Sequence, residues 1–451
     1  MTAADLIIIG AGPGGYETAV AAAKAGLQTV IVEAEKVGGT CLNVGCIPTK
    51  CLCHTADVAR LSREAQEVGV ETGGARVDVR AAVERKNRVV AQLTQGVETL
   101  LGGKGITLVG GRARFVDSHT IAVEGSDEQY TAPNIIVATG SVTKYLPIEG
   151  KDLPGVVSST ELLDIDELPE RLCIIGGGVI GLEFASIFNS FGSKVTVVEF
   201  CKEILPNFDS DIAKRLRLAL KSQGVEFVMG AAVNGIRKAE GGLEVGYELK
   251  GKQDSTEADV VLMAVGRAAN TASLNLDDVG IEYDRRGIKT DDDLRTNIQG
   301  VWAIGDINGR IQLAHAASAQ GRHVLAKILG RESGIRLDIV PAAVFTAPEA
   351  ASVGVTADYC KAQGIEVKVS KAFFRANGKA LAMNESEGMV KLLSDPATGR
   401  LMGCHMFGPH SADLVQEVAA LMNKDATLED LHRIIHGHPT LGETVWQAAE
   451  A

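Results

Sequence analysis

Leu6-Ile7-Ile8-Ile9-Gly10-Ala11-Gly12-Pro13-Gly14-Gly15 is an apolar run that stops on a glycine cluster. An alanine-rich stretch, Tyr16 to Ala25, follows it, and then a second apolar run, Thr29-Val30-Ile31-Val32, that ends on Glu33. The pattern predicts strand, glycine turn, helix and strand. It recurs: Leu172-Cys173-Ile174-Ile175 leads into Gly176-Gly177-Gly178-Val179-Ile180-Gly181, a helix from about Leu182 to Phe191, and Lys194 to Val198 ending on Glu199. In both copies 23 positions separate the first glycine from the acidic residue, Gly10 to Glu33 and Gly176 to Glu199. Gly10 and Gly176 allow a tight turn out of the strand. Gly12 and Gly178 let backbone approach a pyrophosphate, and Gly15 and Gly181 let helix pack closely on strand. Phosphates then lie at a helix N-terminus, where unpaired N–H groups and the positive end of the dipole favour them. One such glycine turn alone also occurs for packing reasons; two copies with strand, helix and acid in register predict an α/β chain with two Rossmann-like dinucleotide-binding domains. Glu33 and Glu199 stand where a carboxylate accepts from a ribose hydroxyl. Glu199 is followed by Phe200-Cys201-Lys202, with no arginine pair for a 2′-phosphate, so the second site is expected to take NAD.

Outward from these motifs, the chain of 451 residues has room for about three domains and a sizeable core. Hydrophobic content of 45% and charged content of 23% exclude the disordered, collagen-like and disulfide-scaffold classes. A net charge of −12 argues against a nucleic-acid or basic membrane-surface partner. The N-terminus enters its first strand directly, without a charged and apolar leader, and no run has the ~18 apolar residues of a membrane span. A cytoplasmic, reduced chain is therefore expected, and in such a chain closely spaced cysteines point to catalysis, redox chemistry or metal rather than to a structural bridge.

Cys41 and Cys46 sit in Gly38-Gly39-Thr40-Cys41-Leu42-Asn43-Val44-Gly45-Cys46-Ile47-Pro48-Thr49-Lys50. On a regular helix, thiols five positions apart have Cα atoms ~8–9 Å apart, beyond the ~7 Å that a disulfide spans. Closing this pair needs a distorted turn. Gly45 is expected to supply unusual backbone angles, and Pro48 removes the hydrogen bond it would have donated to Val44. A bridge held there would be strained and readily reduced. The spacing of Cys41, Cys46, Cys51 and Cys53 matches neither zinc pairs nor ferredoxin patterns, so no metal is expected. Cys51, Cys53, Cys173, Cys201, Cys360 and Cys404 read as background.

Set behind the first fingerprint, the segment Gly39 to Pro48 resembles the active-site segment of the flavoprotein disulfide reductases, most closely their dihydrolipoyl-oxidising branch. Resemblance extends over essentially the whole chain. Ala138-Thr139-Gly140-Ser141 and Thr296 to Asp306 are similar to the family's further flavin segments, Ala264-Val265-Gly266-Arg267 to the strand end that closes its NAD domain, and His436 to Glu443 to its terminal motif. The resemblance implies a Cys41–Cys46 redox disulfide, with His438 as acid/base and Glu443 orienting it. It implies FAD on Gly10, Gly12, Gly14, Gly15, Glu33, Gly39, Thr40, Lys50, Ala113, Thr139, Gly140, Ser141, Asp306, Leu313, Ala314 and His315. It implies NAD on Gly176, Gly178, Val179, Ile180, Gly181, Glu183, Glu199, Val233 and Gly266. Lys50 is expected to approach the flavin and to pair with Glu183, so that neither charge is buried alone; a helix-dipole role for Glu183 is the plainer alternative. A His tuned by a carboxylate is also what thiol chemistry asks for, because a thiol of pKa ~8.5 is mostly protonated at neutral pH. Taken alone, one His near one Glu is more often a surface or core pair, and His432 and His436 read as structural.

The implied architecture is FAD-binding over 1–144 and 270–335, NAD-binding over 145–269, and a C-terminal α+β dimerisation domain over 336–451, with the helical stretch Val77 to Leu101 packed on the flavin domain. The implied reaction is oxidation of protein-bound dihydrolipoyl groups to lipoyl with reduction of NAD. The implied partners are a second copy of the chain, whose cysteine pair His438 reaches, and a lipoyl-bearing acyltransferase of a 2-oxoacid dehydrogenase complex or a glycine-cleavage lipoyl carrier. Alternatives are another NAD(P)H-dependent reductase of the family or a flavin-binding component without turnover. Thr49 and Glu199 depart from the glutathione and trypanothione reductase pattern. The terminus Trp446 to Ala451 has no vicinal cysteine pair of the mercuric reductase kind.

Overall fold

A computed structural model describes residues 1–451. The chain folds into two compact units, one formed by Met1–Thr49, Glu84–Lys144 and Gly266–Leu337, the other by Lys50–Val83, Tyr145–Val265 and Asp338–Ala451.

In the first unit the strand Leu6–Ile9 lies inside a five-stranded parallel sheet, in the order Val301–Ala303, Asn134–Val137, Leu6–Ile9, Thr29–Glu33, Ile106–Gly110. All four residues of Leu6–Ile9 are buried, and their alternation sends Leu6 and Ile8 into one apolar cluster and Ile7 and Ile9 into another. Both faces of the sheet are covered, which is why the run is continuously apolar rather than alternating. The helix Pro13–Lys24 packs on one of these faces through Ala19 and Ala22. A four-stranded sheet, Thr2–Ala3, Gln129–Thr131, Thr120–Val123 and Ala113–Asp117, completes the unit.

The second unit repeats the design. Its five-stranded parallel sheet runs Val156–Val157, Val260–Met263, Arg171–Ile175, Lys194–Glu199, Glu226–Met229. Leu172 and Ile174 enter one cluster and Cys173 and Ile175 another. A separate five-stranded antiparallel sheet, in the order Ala342–Val344, Glu349–Gly354, Leu401–Gly408, Met389–Ser394, Lys368–Phe373, carries the C-terminal region. One face packs under the helices Ser411–Met422 and Glu443–Glu450 through Val390, Leu392, Cys404, Met406, Val415, Val418 and Val445. The mixed architecture is the α/β fold with two Rossmann-like units and a C-terminal α+β region that the sequence predicts.

Two details differ from expectation. The helix expected over Val77 to Leu101 forms over Val79–Leu101; its last turns, Val97 and Leu101, belong to the core of the first unit, but its first turn, Val79 and Ala82, belongs to that of the second. In the C-terminal sheet the apolar runs predict strands at Ala343 to Phe345, Met389 to Leu393 and Met402 to Met406, and the structure adds Glu349–Gly354 and Lys368–Phe373; the latter runs Lys368-Val369-Ser370-Lys371, with polar residues on both faces, so period-two patterning is weak there. No helix is long and apolar enough to cross a membrane.

Candidate active site

The two glycine turns are near copies of one another. Gly10 has φ +105° and Gly176 φ +113°, and a Cβ there would lie 2.4 Å from the Ala138 and Ala264 carbonyl oxygens respectively. A Cβ on Gly15 would meet the Gly10 carbonyl at 1.9 Å, and on Gly181 the Gly176 carbonyl at 2.1 Å. These four positions admit only glycine. Gly12 and Gly178 differ, since a Cβ on either would meet no protein atom within 4 Å. Both N-cap their helices, Pro13–Lys24 and Val179–Phe191, without a side-chain cap. Open space over the uncapped N-terminus of a helix is the cradle that a pyrophosphate fits. Gly14 is held differently, against Ala317, and Gly39 (φ +56°) lies over Gly12 with its Cβ direction 2.8 Å from the Gly12 Cα.

The acidic residues are set in matching ways. Glu33 accepts from the Ala11 N–H at 2.7 Å and the Glu35 N–H at 2.9 Å. Glu199 accepts from the Gly177 N–H and, at 2.6 Å, from the Cys201 N–H. Each carboxylate ties the glycine turn to the end of the second strand, and each oxygen keeps a lone pair for a ribose hydroxyl. Val179 is partly exposed and Ile180 half-buried on the first turn of the second helix, whereas Val233 lies on the strand Ala231–Ala239 with Tyr247 opposite.

The cysteine segment is a broken helix. One short helix, Gly39–Asn43, carries Cys41; a longer one, Cys46–Glu64, begins at Cys46; Val44 between them leaves helical geometry with φ −141°. Cys41 is half-buried and Cys46 exposed. The break falls where Pro48 cannot donate to Val44, as expected. Gly45 acts for another reason than the one expected: its φ is not positive, but a Cβ would lie 2.8 Å from the Thr40 carbonyl oxygen. That carbonyl also accepts from the Val44 N–H at 3.0 Å. Close approach, rather than an unusual backbone angle, is what reserves this position for glycine.

Cys41 opens onto a cleft of 340 Å³ whose lining includes Tyr16, Glu17, His315 and Arg322. Burial, followed by the charges of Glu17 and Cys41, pushes the Tyr16 hydroxyl above its ordinary pKa. Ala314 and His315 open the helix Ala314–Ile328 after its N-cap Leu313, and Ala113 is buried at the start of its strand opposite Val123. Neither Glu17 nor Arg322 is singled out by the sequence, because the helices that carry them, Pro13–Lys24 and Ala314–Ile328, are far apart in the chain and meet only in the folded unit.

Behind the flavin-type motifs lies a charged network. Ser141 donates to Asp306 at 2.6 Å, and Arg267 donates to the Ser141 hydroxyl and carbonyl, both at 2.7 Å. Arg267 also reaches the Thr40 hydroxyl at 3.4 Å. Burial raises the Asp306 carboxyl and lowers the Arg267 guanidinium. Thr139 donates to the Asn270 carbonyl at 2.9 Å, and Gly140 sits between them at φ +69°. Gly266 has φ +105° and open space at its Cβ position.

In the second unit Lys50 and Glu183 meet, with Nζ 2.9 Å from each carboxylate oxygen. Glu183 is 4% exposed and also accepts from the Phe345 N–H at 3.0 Å, and the Lys50 ammonium lies 4.3 Å from the centre of the Phe345 ring. Glu183 is thus the counter-ion of Lys50 rather than a dipole partner at a helix end. At the C-terminus, His438 Nδ1 is 2.8 Å from Glu443 Oε1, while Glu443 Oε2 accepts from the Thr440 N–H at 2.8 Å. The Thr440 N–H first, and His438 second, hold the Glu443 carboxyl below the ordinary range. His438 is 79% exposed, so its Nε2 edge is open to a reactant. His436 is committed to Glu417 at 2.9 Å, and His432 stacks on Trp446.

Comparison with known proteins places this architecture. The family described as "Pyridine nucleotide-disulphide oxidoreductase" matches residues 4–321, and its dimerisation domain matches residues 340–449. The chain belongs to this family. Among its relatives, the dihydrolipoyl dehydrogenase of Chlamydia muridarum is 40% identical over 98% of this chain and 95% of its own, and that of Geobacillus stearothermophilus 40% over 99% and 95%. A solved structure of the HOCl-induced flavoprotein disulfide reductase RclA from Escherichia coli superposes with a TM-score of 0.88 at 33% identity, covering 99% of each chain.

Proposed function

We propose that this chain is a dihydrolipoyl dehydrogenase, an NAD-dependent flavoprotein that oxidises protein-bound dihydrolipoyl groups. The observation that carries the reading is the broken helix holding Cys41 beside an open cleft and Cys46 at a helix N-terminus, in a chain 40% identical to dihydrolipoyl dehydrogenases. FAD would be held by the first glycine turn with Glu33, Gly39, Thr40, Lys50, Ala113, Thr139, Gly140, Ser141, Asp306, Leu313, Ala314 and His315. NAD would be held by the second turn with Val179, Ile180, Glu183, Glu199, Val233 and Gly266. When bound, FAD supplies a two-electron carrier between the cysteine pair and NAD, which leaves as NADH.

The residues of the chain do the rest. Glu443 takes the Nδ1 proton of His438 as a hydrogen bond, which leaves Nε2 as the basic atom. In a homodimer formed through the C-terminal domain, His438 removes a proton from a substrate thiol at the cysteine pair of the other subunit. The thiolate attacks Cys41, breaking the Cys41–Cys46 bond and releasing Cys46 as a thiolate. The second substrate thiol displaces Cys41 and closes the lipoyl ring. Lys50 would supply positive charge to the bound flavin, and Glu183 prevents that charge from standing unpaired. The enzyme works in the cytoplasm, on the lipoyl-bearing acyltransferase of a 2-oxoacid dehydrogenase complex or a glycine-cleavage lipoyl carrier.

The test is an anaerobic reduction of the holoenzyme by dihydrolipoamide, followed by alkylation and peptide mapping. Label is expected on Cys41 and Cys46 only after reduction, and NAD added to the reduced enzyme before the alkylating agent is expected to leave both unlabelled. Labelling that is the same before and after dihydrolipoamide would contradict the reading.

A further inference from the structure

Arg267 has no role in the scheme above, yet three observations place its charge at the cysteine segment. Its guanidinium reaches the Thr40 hydroxyl at 3.4 Å, on the short helix that carries Cys41. Gly45, immediately before Cys46, packs on that same threonine: a Cβ there would lie 2.8 Å from the Thr40 carbonyl and 3.3 Å from its methyl. Two bonds to Ser141, each 2.7 Å, one from Nε to the hydroxyl and one to the carbonyl from the same Nη2 that reaches Thr40, fix that edge of the fork. The guanidinium is therefore clamped against the turn from which Cys46 emerges, and it is half-buried, where charge is poorly screened.

Cys46 is itself the first residue of the 19-residue helix Cys46–Glu64. Thiols at a helix N-terminus beside a cation are the ones whose thiolates are stabilised. We propose that Arg267 is the electrostatic partner that holds Cys46 as a thiolate when the Cys41–Cys46 pair is reduced, a role that rests on reading those two residues as the redox pair. The charged and titratable groups brought to this turn include Arg267, from the strand Arg267–Ala269, Cys41, from the short helix, and, in the homodimer proposed above, His438 of the partner subunit. Asp306 accepts from the Ser141 hydroxyl to which Arg267 also donates, and burial raises its carboxyl, which leaves the cation less fully neutralised. Burial lowers the Arg267 guanidinium, and attraction to Asp306 first and to Cys46 second acts against that lowering.

The specificity of the arrangement lies in the fork. One nitrogen edge satisfies Ser141 while Nη2 also reaches Thr40, and lysine, with a single ammonium, can keep the charge at this turn without both contacts. Charge and position therefore separate in mutants.

The experiment is the pH dependence of Cys46 carbamidomethylation by iodoacetamide in the reduced holoenzyme, read by peptide mapping. It needs no lipoyl substrate, so its failure leaves the proposed reaction untouched, and failure of that reaction would leave this measurement interpretable. Arg267→Gln is expected to raise the midpoint for Cys46 by about one pH unit or more, a tenfold loss of thiolate below the midpoint, while Arg267→Lys stays within about half of that shift. A midpoint unchanged in Arg267→Gln overturns the proposal. So does a shift in Arg267→Lys as large as in Arg267→Gln, because that would mark a packing role. If Arg267→Gln does not retain flavin, Arg267→Met, which keeps much of the side-chain length and removes the charge, decides: it is expected to raise the midpoint by about one pH unit or more, and no change overturns the proposal.

Discussion

Glu443→Gln is the substitution whose effect follows most directly from the geometry. Two carboxylate oxygens of Glu443 serve two donors, His438 Nδ1 at 2.8 Å and the Thr440 N–H at 2.8 Å. Glutamine has one oxygen and one NH₂. If the oxygen stays on the Thr440 N–H, the NH₂ faces His438 and forces Nδ1 to accept, so the proton moves to Nε2 and the basic edge is lost. If the amide flips, two donors confront each other at Thr440, at about 1–3 kcal/mol for the unmade bond. The wrong tautomer is thus favoured by about 5- to 150-fold, and the negative charge that steadies the protonated imidazole is gone as well. Together these losses fall in the range of about 10²- to 10⁴-fold for a misdirected acid/base. His438 is 79% exposed, so the pair adds little to stability. Steady-state turnover with dihydrolipoamide and NAD should therefore drop at least a hundredfold, with flavin content unchanged and the thermal midpoint within about 2 °C. Turnover within threefold of the parent would refute the reasoning.

Three further outcomes are expected. Glu183→Ala strands the Lys50 ammonium and the Phe345 N–H and should cost about 2–4 kcal/mol, below the full value for a buried pair because the Lys50 side chain is 34% exposed; Glu183→Gln, which keeps an acceptor, should cost about half, and equal urea midpoints for the two would contradict this. Glu199→Ser should raise the ratio of kcat/KM for NADP over NAD at least tenfold by removing a carboxylate from the 2′ position, while weakening NAD itself, since Glu199 also holds the Gly177 and Cys201 N–H groups; an unchanged ratio counts against the second-site reading. His405 is fully buried, with Nε2 2.8 Å from the Val355 carbonyl and Nδ1 without a partner, and burial pushes its pKa below the ordinary value. The unfolded chain then binds more protons once pH drops below about 6.5, so this group makes stability fall with pH from there down through its folded pKa; His405→Gln should flatten that slope between pH 7.5 and 5, and an identical slope would show that other groups set it.

What could be read from the chain and what could not divide along physical lines. The glycine turns were legible because their requirements are local: Gly10, Gly15, Gly176 and Gly181 each face backbone a few residues away or on the adjoining strand. Buried parallel strands announce themselves as Leu6–Ile9 and Leu172–Ile175 do, by unbroken apolar runs. The broken helix at the cysteines was foreseeable from Pro48, but not the reason for Gly45, which lies in a contact with Thr40 that composition does not encode. Arg267 was visible only as the end of a motif; its bonds to Ser141 and Thr40 span 126 and 227 positions. Phe345, which donates to Glu183 across 162 positions, left no signal at all. Local rules fix turns and periodicities, whereas partners brought together by sheet assembly have to be seen.

The central claim is that electrons pass from a dihydrolipoyl dithiol through Cys41 and Cys46 to NAD. It is tested most directly by steady-state rates of the flavin-loaded enzyme with dihydrolipoamide and NAD, set beside dihydrolipoamide with NADP and glutathione with NAD. The first pair is expected to exceed both others by at least a hundredfold in kcat/KM, and to vanish in Cys46→Ser. A rate with NADP or glutathione equal to the first, or full activity in Cys46→Ser, would contradict the account.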